Sequence, residues 1–125
     1  EKANEVKSVQ VIGEVKGKDV IIVDDLIDTG GTISMASKVL MEKGAKSVRA
    51  LITHPILSGN ADENITNSAL TELVVTDTIP LKFRNKKIKV LSIAELFAKA
   101  IRKIHENEST SSLFLTDKFS NYEND

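Results

Sequence analysis

Residues 19–32 read DVIIVDDLIDTGGT, and this stretch decides the fold. Four apolar residues, Val20, Ile21, Ile22 and Val23, lead into two adjacent carboxylates, Asp24 and Asp25. Two apolar residues then precede Asp28, Thr29, Gly30, Gly31 and Thr32, after which the apolar spacing becomes helical. The order is strand, polar loop, helix start. A run apolar at both parities predicts a central parallel strand covered by helices. In a parallel α/β sheet the following loop lies at the carboxyl end of a strand, where such sheets bind ligands.

Outward from that stretch, Val9, Val11, Ile12 and Val15 form a β-prone segment, and the Lys16-Gly17-Lys18 turn suggests a tightly connected neighbouring strand over 11–15. A helix is expected over 32–43, with Ile33, Ala36, Ser37 and Leu40 on one stripe and Gly44 just past its end. Strands follow at 47–53, 73–76 and 88–91, with a short, weak helix at 61–68. The best helical pattern is 92–107. Ser92 and Glu95 have capping-box spacing, and Ile93, Leu96, Phe97, Ala100, Ile101 and Ile104 follow the i, i+3, i+4, i+7 rhythm. The alternation predicts an α/β fold with three α/β/α layers and a mainly parallel sheet.

Composition narrows the function classes. The 125 residues allow one domain and a core that needs no staple. There is no cysteine, hence no disulfide and no thiolate metal site. A net charge of −1 with interspersed signs, no Trp and one Tyr argue against a nucleic-acid partner. No run is long and apolar enough for a membrane helix and no signal peptide is evident, so a cytoplasmic location is expected. The first residue is Glu1, and a piece of a longer protein is expected.

The chemistry of the stretch divides in two. Glycines at 30 and 31 let the backbone approach a ligand, and successive N–H groups at a helix start can cradle a phosphate. Thr29 and Thr32 add hydroxyls, and Asp28 is expected to cap amides of its own loop. Asp24 and Asp25 point to opposite sides of an extended chain. Carboxylates there can accept from vicinal hydroxyls or bind Mg²⁺. A diol grip beside a phosphate cradle fits ribose 5-phosphate. The same pattern also occurs as plain loop chemistry in α/β proteins.

VIIVDDLIDTGGT resembles the phosphoribosyl-diphosphate loop of type I phosphoribosyltransferase folds. VIGEVKGKDVIIVDD, KGAKSVRALITHPILSG, ELVVTDTIP and IRKIHENESTSSLF resemble the ribose-phosphate pyrophosphokinase family, over about 11–114. The resemblance implies transfer of a diphosphoryl group from ATP to ribose 5-phosphate, with Mg²⁺ and with AMP leaving. It implies that Asp24 and Asp25 hold the ribose hydroxyls and associated Mg²⁺, and that Asp28, Thr29, Gly30, Gly31 and Thr32 hold the 5-phosphate. It also implies homo-oligomers of the full-length protein.

Family members have two related domains and are over twice this long. The chain resembles the second, C-terminal one, as a domain over 1–114 with a loose tail over 115–125. Most of the ATP site and a basic loop acting on the transferred phosphates belong to the part not present. No catalytic residue is therefore assigned in this chain, which is expected to be inactive alone. Ser109, Ser111 and Phe114 match an SxSxxF pattern that the family uses at an allosteric phosphate or ADP site. The alternative is a polar linker with Phe114 tucked into the core. Two other readings stay open: a non-catalytic regulatory or binding protein of the same fold, or a phosphoribosyltransferase, for which no base-binding hood is found. His54 and Asp77 end strands and could face the site, although a loop histidine and a turn cap explain them as well. Ser58-Gly59 could line the same crevice. The basic residues Lys82, Arg84, Lys86, Lys87 and Lys89 read as a solvated face.

Overall fold

A computed structural model describes residues 9–114. The polar stretch at 1–8 and the tail expected at 115–125 lie outside the described residues. The chain divides into two compact units, the boundary in sequence falling between Leu91 and Ser92.

The first unit alternates strand and helix: β1 (Asp19–Ile27), α1 (Gly31–Glu42), β2 (Ser47–Pro55), α2 (Ala61–Asn67), β3 (Glu72–Thr76) and β4 (Ile88–Leu91). The strands form one sheet in the order β1-β2-β3-β4, and every pair is parallel. The α/β class and parallel sheet expected from the sequence are thus what the chain adopts. A sheet that grows in one direction through right-handed crossovers carries its connecting helices on one face, and α1 contacts both α2 and β2.

That shared face makes the core. β2 contributes Val48, Ala50 and Ile52 at alternate positions, and β3 contributes Leu73 and Val75. Ile33 and Leu40 of α1 and Ala61 and Ile65 of α2 close over them. Each large side chain so buried contributes roughly 1.5–3 kcal/mol. Gly44, at φ 90°, ends α1; its N–H donates to the Met41 carbonyl at 2.9 Å. That is the αL stop expected of a glycine just past a helix.

Two expectations fail. Residues 11–15 form no strand. A connection as tight as Lys16-Gly17-Lys18 joins antiparallel neighbours, whereas this sheet is parallel. The Gly17 N–H goes instead to the Gly44 carbonyl at 2.8 Å, and Val11 and Val15 lean against the core as loop residues. The strand β1 is also not central: among the described residues it is an edge, with Ile21 56% and Val23 74% exposed. Being apolar at both parities reflects two faces able to be covered, not a position in the sheet.

The second unit holds α3 (Ala94–His105) and a 3-10 turn (Ser111–Leu113). α3 starts two residues later than expected. The Ser92 hydroxyl accepts from the Ala94 N–H at 3.2 Å, and Glu95 pairs with Lys99 at 2.6 Å. Its apolar stripe is exposed, Ile101 and Ile104 included. No described helix is long and apolar enough to cross a membrane.

Candidate functional site

The strand β1 does not stop at Val23 but runs on to Ile27, so Asp24 and Asp25 lie within it. Their neighbours in β2 are set by the register Asp24↔Ile52 and Leu26↔His54. Period-two alternation sends the two carboxylates to opposite faces. Each takes the amide that follows it: Asp24 accepts from the Asp25 N–H and Asp25 from the Leu26 N–H, both at 2.8 Å. One oxygen of each carboxylate is occupied in this way, leaving the other for a ligand.

Beyond β1 the chain turns through Asp28, Thr29 and Gly30 into α1. Gly30 sits at the N-cap with φ 76° and ψ 0°, a left-handed conformation that side chains resist. No side chain caps α1, and among the described residues no hydrogen bond takes up the amides of Gly30, Gly31 and Thr32. Unsatisfied N–H groups at a helix start form an electropositive concavity. They border a cleft of about 220 Å³ lined by Asp24, Leu26, Ile27, Asp28, Thr29, Gly30, Gly31, Thr32 and Ile33. The cleft thus gathers every residue singled out from the stretch except Asp25. It has carboxylates but no cationic side chain in its wall.

Asp28 does not cap its own loop. Its carboxylate accepts a short hydrogen bond from the Ser58 hydroxyl, and its carbonyl accepts from the Ser58 N–H at 3.1 Å. The N–H groups of Ile56 and Leu57 both reach the Ile27 carbonyl, at 3.0 and 3.2 Å. Leu57 adopts φ 48° while almost wholly buried, a strained conformation held by its surroundings. The loop after β2 is therefore clamped onto the loop after β1. Asn64 of α2 completes the clamp by donating from Nδ2 to the Thr29 carbonyl at 2.8 Å. Sequence reasoning missed Asn64, because an asparagine in a weak helix carries no spacing signal, and placed Ser58 only loosely.

The remaining candidates go elsewhere. His54 lies in β2, with Nδ1 2.9 Å from the Thr78 hydroxyl, and does not line the cleft. Asp77 borders a separate groove of about 670 Å³ with Lys82, Phe83 and Arg84. The basic cluster is no single face: Lys87 donates to the carbonyls of Ile65, Thr66 and Ser68, and Lys89 lies 3.7 Å from Glu72. In the second unit the Ser109 hydroxyl accepts from the Ser111 N–H at 3.2 Å. Phe114 is 79% exposed, so it is not tucked into a core. Among the described residues no three potential metal ligands cluster.

With the geometry in hand, comparison with known proteins is informative. Residues 1–115 match the family model described as the phosphoribosyl synthetase-associated domain. The chain is 57% identical over 115 residues to a ribose-phosphate pyrophosphokinase of Wolinella succinogenes, covering 92% of this chain and 37% of that protein. It is 58% identical over 114 residues to one of Helicobacter hepaticus, covering 91% and 37%. Among solved structures it resembles the phosphoribosylpyrophosphate synthetase of Mycobacterium smegmatis, with TM-score 0.77 and 44% identity over 82% of this chain and 35% of that one. The chain thus spans about 37% of the length of these curated relatives. On a match covering all but its last ten residues, the chain belongs to the phosphoribosyl synthetase-associated domain family.

Proposed function

We propose that the cleft at the end of β1 binds ribose 5-phosphate and that the chain is the sugar-phosphate half, the C-terminal domain, of a ribose-phosphate diphosphokinase. The observation that carries this is the row of unpartnered amides at Gly30, Gly31 and Thr32, opening beside Asp24 in one cleft. In this reading the 5-phosphate sits on those amides with the hydroxyls of Thr29 and Thr32. Asp24 accepts from the vicinal ribose hydroxyls through its unoccupied oxygen, whereas Asp25, the other residue expected to hold them, lies on the opposite face of β1 and outside the cleft. Asp28, held by Ser58, shapes the loop.

The acceptor chemistry supports Mg²⁺. A phosphate dianion beside Asp24 and Asp28, with no cationic side chain in the wall, needs a counter-charge. A carboxylate with a free oxygen beside the phosphate suits a hard cation that keeps waters and is shared with the ligand, and does not suit an all-protein cage. Asp24, in the cleft wall, would hold it there, where it would neutralise phosphate charge; Asp25, the other expected magnesium ligand, lies outside the cleft. The reaction proposed for the whole protein is attack of the anomeric hydroxyl on the β-phosphorus of ATP, with AMP leaving and 5-phosphoribosyl 1-diphosphate formed. The contribution of this chain is positioning of the nucleophile. ATP contacts, homo-oligomer formation and a cytoplasmic setting belong to the same proposal, as does a role in nucleotide biosynthesis. Ser109, Ser111 and Phe114 remain candidates for an allosteric phosphate or ADP site.

Titration calorimetry with ribose 5-phosphate and Mg²⁺ tests this. Binding by the wild-type chain that weakens at least tenfold in Asp24→Ala and on chelation of Mg²⁺ is the expected result. No difference between wild type and Asp24→Ala removes the assignment.

A further inference from the structure

The phosphate-binding loop has an orientation problem that its own residues do not solve. Gly30 is free to turn its peptide either way, and α1 has no capping side chain to fix it. The described residues contain no cis peptide bond. In a trans peptide the carbonyl and the next N–H point in opposite directions. Asn64 donates from Nδ2 to the Thr29 carbonyl at 2.8 Å, which draws that carbonyl toward α2 and turns the Gly30 N–H away from it. A carbonyl only accepts, so the Asn64 amide can serve here in one orientation alone. The same helix packs behind Gly30, where a β-carbon would make ordinary contact with Ile65 Cγ1 at 3.5 Å and Asn64 Cβ at 3.8 Å.

The helix that presents Asn64 is only seven residues long, too short to stand unaided. It is held from its far side. Asn85 Nδ2 donates to the Asp62 carboxylate at 2.7 Å and to the Thr66 hydroxyl at 2.8 Å. The Lys87 N–H fixes the Asn85 amide by donating to its Oδ1 at 2.9 Å. The Lys87 ammonium takes the carbonyls of Ile65, Thr66 and Ser68 at 3.3, 3.0 and 2.8 Å, where a cation suits a helix C-terminus.

We propose that Asn64 is a positioning residue of the phosphate loop, and that α2, pinned by Asn85 and Lys87, is the brace that keeps the Gly30 N–H turned into the cleft. This rests on the reading of the loop as a phosphate site, but its first test does not need a ligand. Backbone ¹⁵N order parameters at Gly30, Gly31 and Thr32 are measured by NMR in the ligand-free wild type, Asn64→Ala, Asn64→Asp and Asn85→Ala. Asn64→Asp keeps the volume but sets an acceptor against an acceptor, so a mere packing role would tolerate it. Order parameters at the loop fall from about 0.85 toward about 0.6 in both Asn64 variants and less in Asn85→Ala. Val48 and Ala50 in β2 stay rigid. Ribose 5-phosphate affinity falls about three- to tenfold, as expected for loss of one hydrogen bond. Unchanged loop order parameters in Asn64→Asp overturn the proposal, even if Asn64→Ala fails to fold. A loop that loosens in a chain whose wild type never binds ribose 5-phosphate leaves the brace standing and refutes the functional reading instead.

Discussion

Two neighbouring glycines should respond oppositely to the same substitution. At Gly30, φ is 76°, and alanine there enters the left-handed region at about 1–2 kcal/mol. No clash adds to this, since the nearest atoms to a β-carbon are 3.5 to 3.8 Å away, at ordinary contact distance. Alanine also stiffens the unfolded chain, which offsets about 0.4–1 kcal/mol. Gly30→Ala should therefore destabilise by about 1 kcal/mol. Gly31 has no positive φ, and its β-carbon would meet only the Thr29 hydroxyl at 3.7 Å. There the same unfolded-state term acts alone, and Gly31→Ala should be neutral or stabilising by up to about 1 kcal/mol. Yet Gly31 lines the cleft, so its methyl should weaken ribose 5-phosphate binding. The assay is urea unfolding followed by circular dichroism, compared through midpoints at a shared slope, beside calorimetry with ligand. Gly30→Asn, which tolerates the left-handed region, should recover part of the loss. Equal destabilisation at both glycines would refute the backbone reasoning, and full affinity in Gly31→Ala would refute the cradle.

Other tests concern the frame. Ile65→Ala should cost about 2–5 kcal/mol in unfolding free energy, because Ile65 is 1% exposed and packs behind Gly30. Lys87→Met should cost about 1.5–3 kcal/mol by leaving three helix-end carbonyls without their donor, seen as a lower thermal midpoint. Asp19 carries a pH signature. The Ser47 hydroxyl first, then Lys46 and Arg49, hold its carboxyl below the ordinary carboxylate value. Its contribution is thus present above its unfolded pKa and lost as pH falls through the folded one, so Asp19→Asn should flatten the acid end of the stability profile. Finally, the 125-residue chain given ATP, ribose 5-phosphate and Mg²⁺ should release no AMP above the blank.

What could be read in advance followed from local chemistry. The apolar runs, Gly44 as a helix stop and the stripe of α1 are each decided by a few adjacent residues, and they gave the parallel α/β class. The loop 28–32 was legible because glycines, hydroxyls and carboxylates coincide in one short run. The place of β1 at the sheet edge was not, since pairing partners lie far along the chain and apolarity says nothing of order. Nor was Asp28's bond to Ser58 legible, for a carboxylate can cap its own amides or reach a distant hydroxyl, and only the docking of the loop after β2 decides. Asn64 was invisible for the same reason: its role depends on where α2 lies, not on what surrounds it in sequence.

The strand order equals the chain order, and this has a kinetic side. Each strand pairs with the next one to be made, so the sheet can assemble as a procession and come apart as an unzipping from either border. The ligand loop hangs on β1, which among the described residues is a border strand flanked by β2 alone. Under mild denaturant, amides of β2 and β3 should therefore outlast those of β1. A bound sugar phosphate would then act as a latch on the outermost tooth of the zipper, slowing the opening event that begins there.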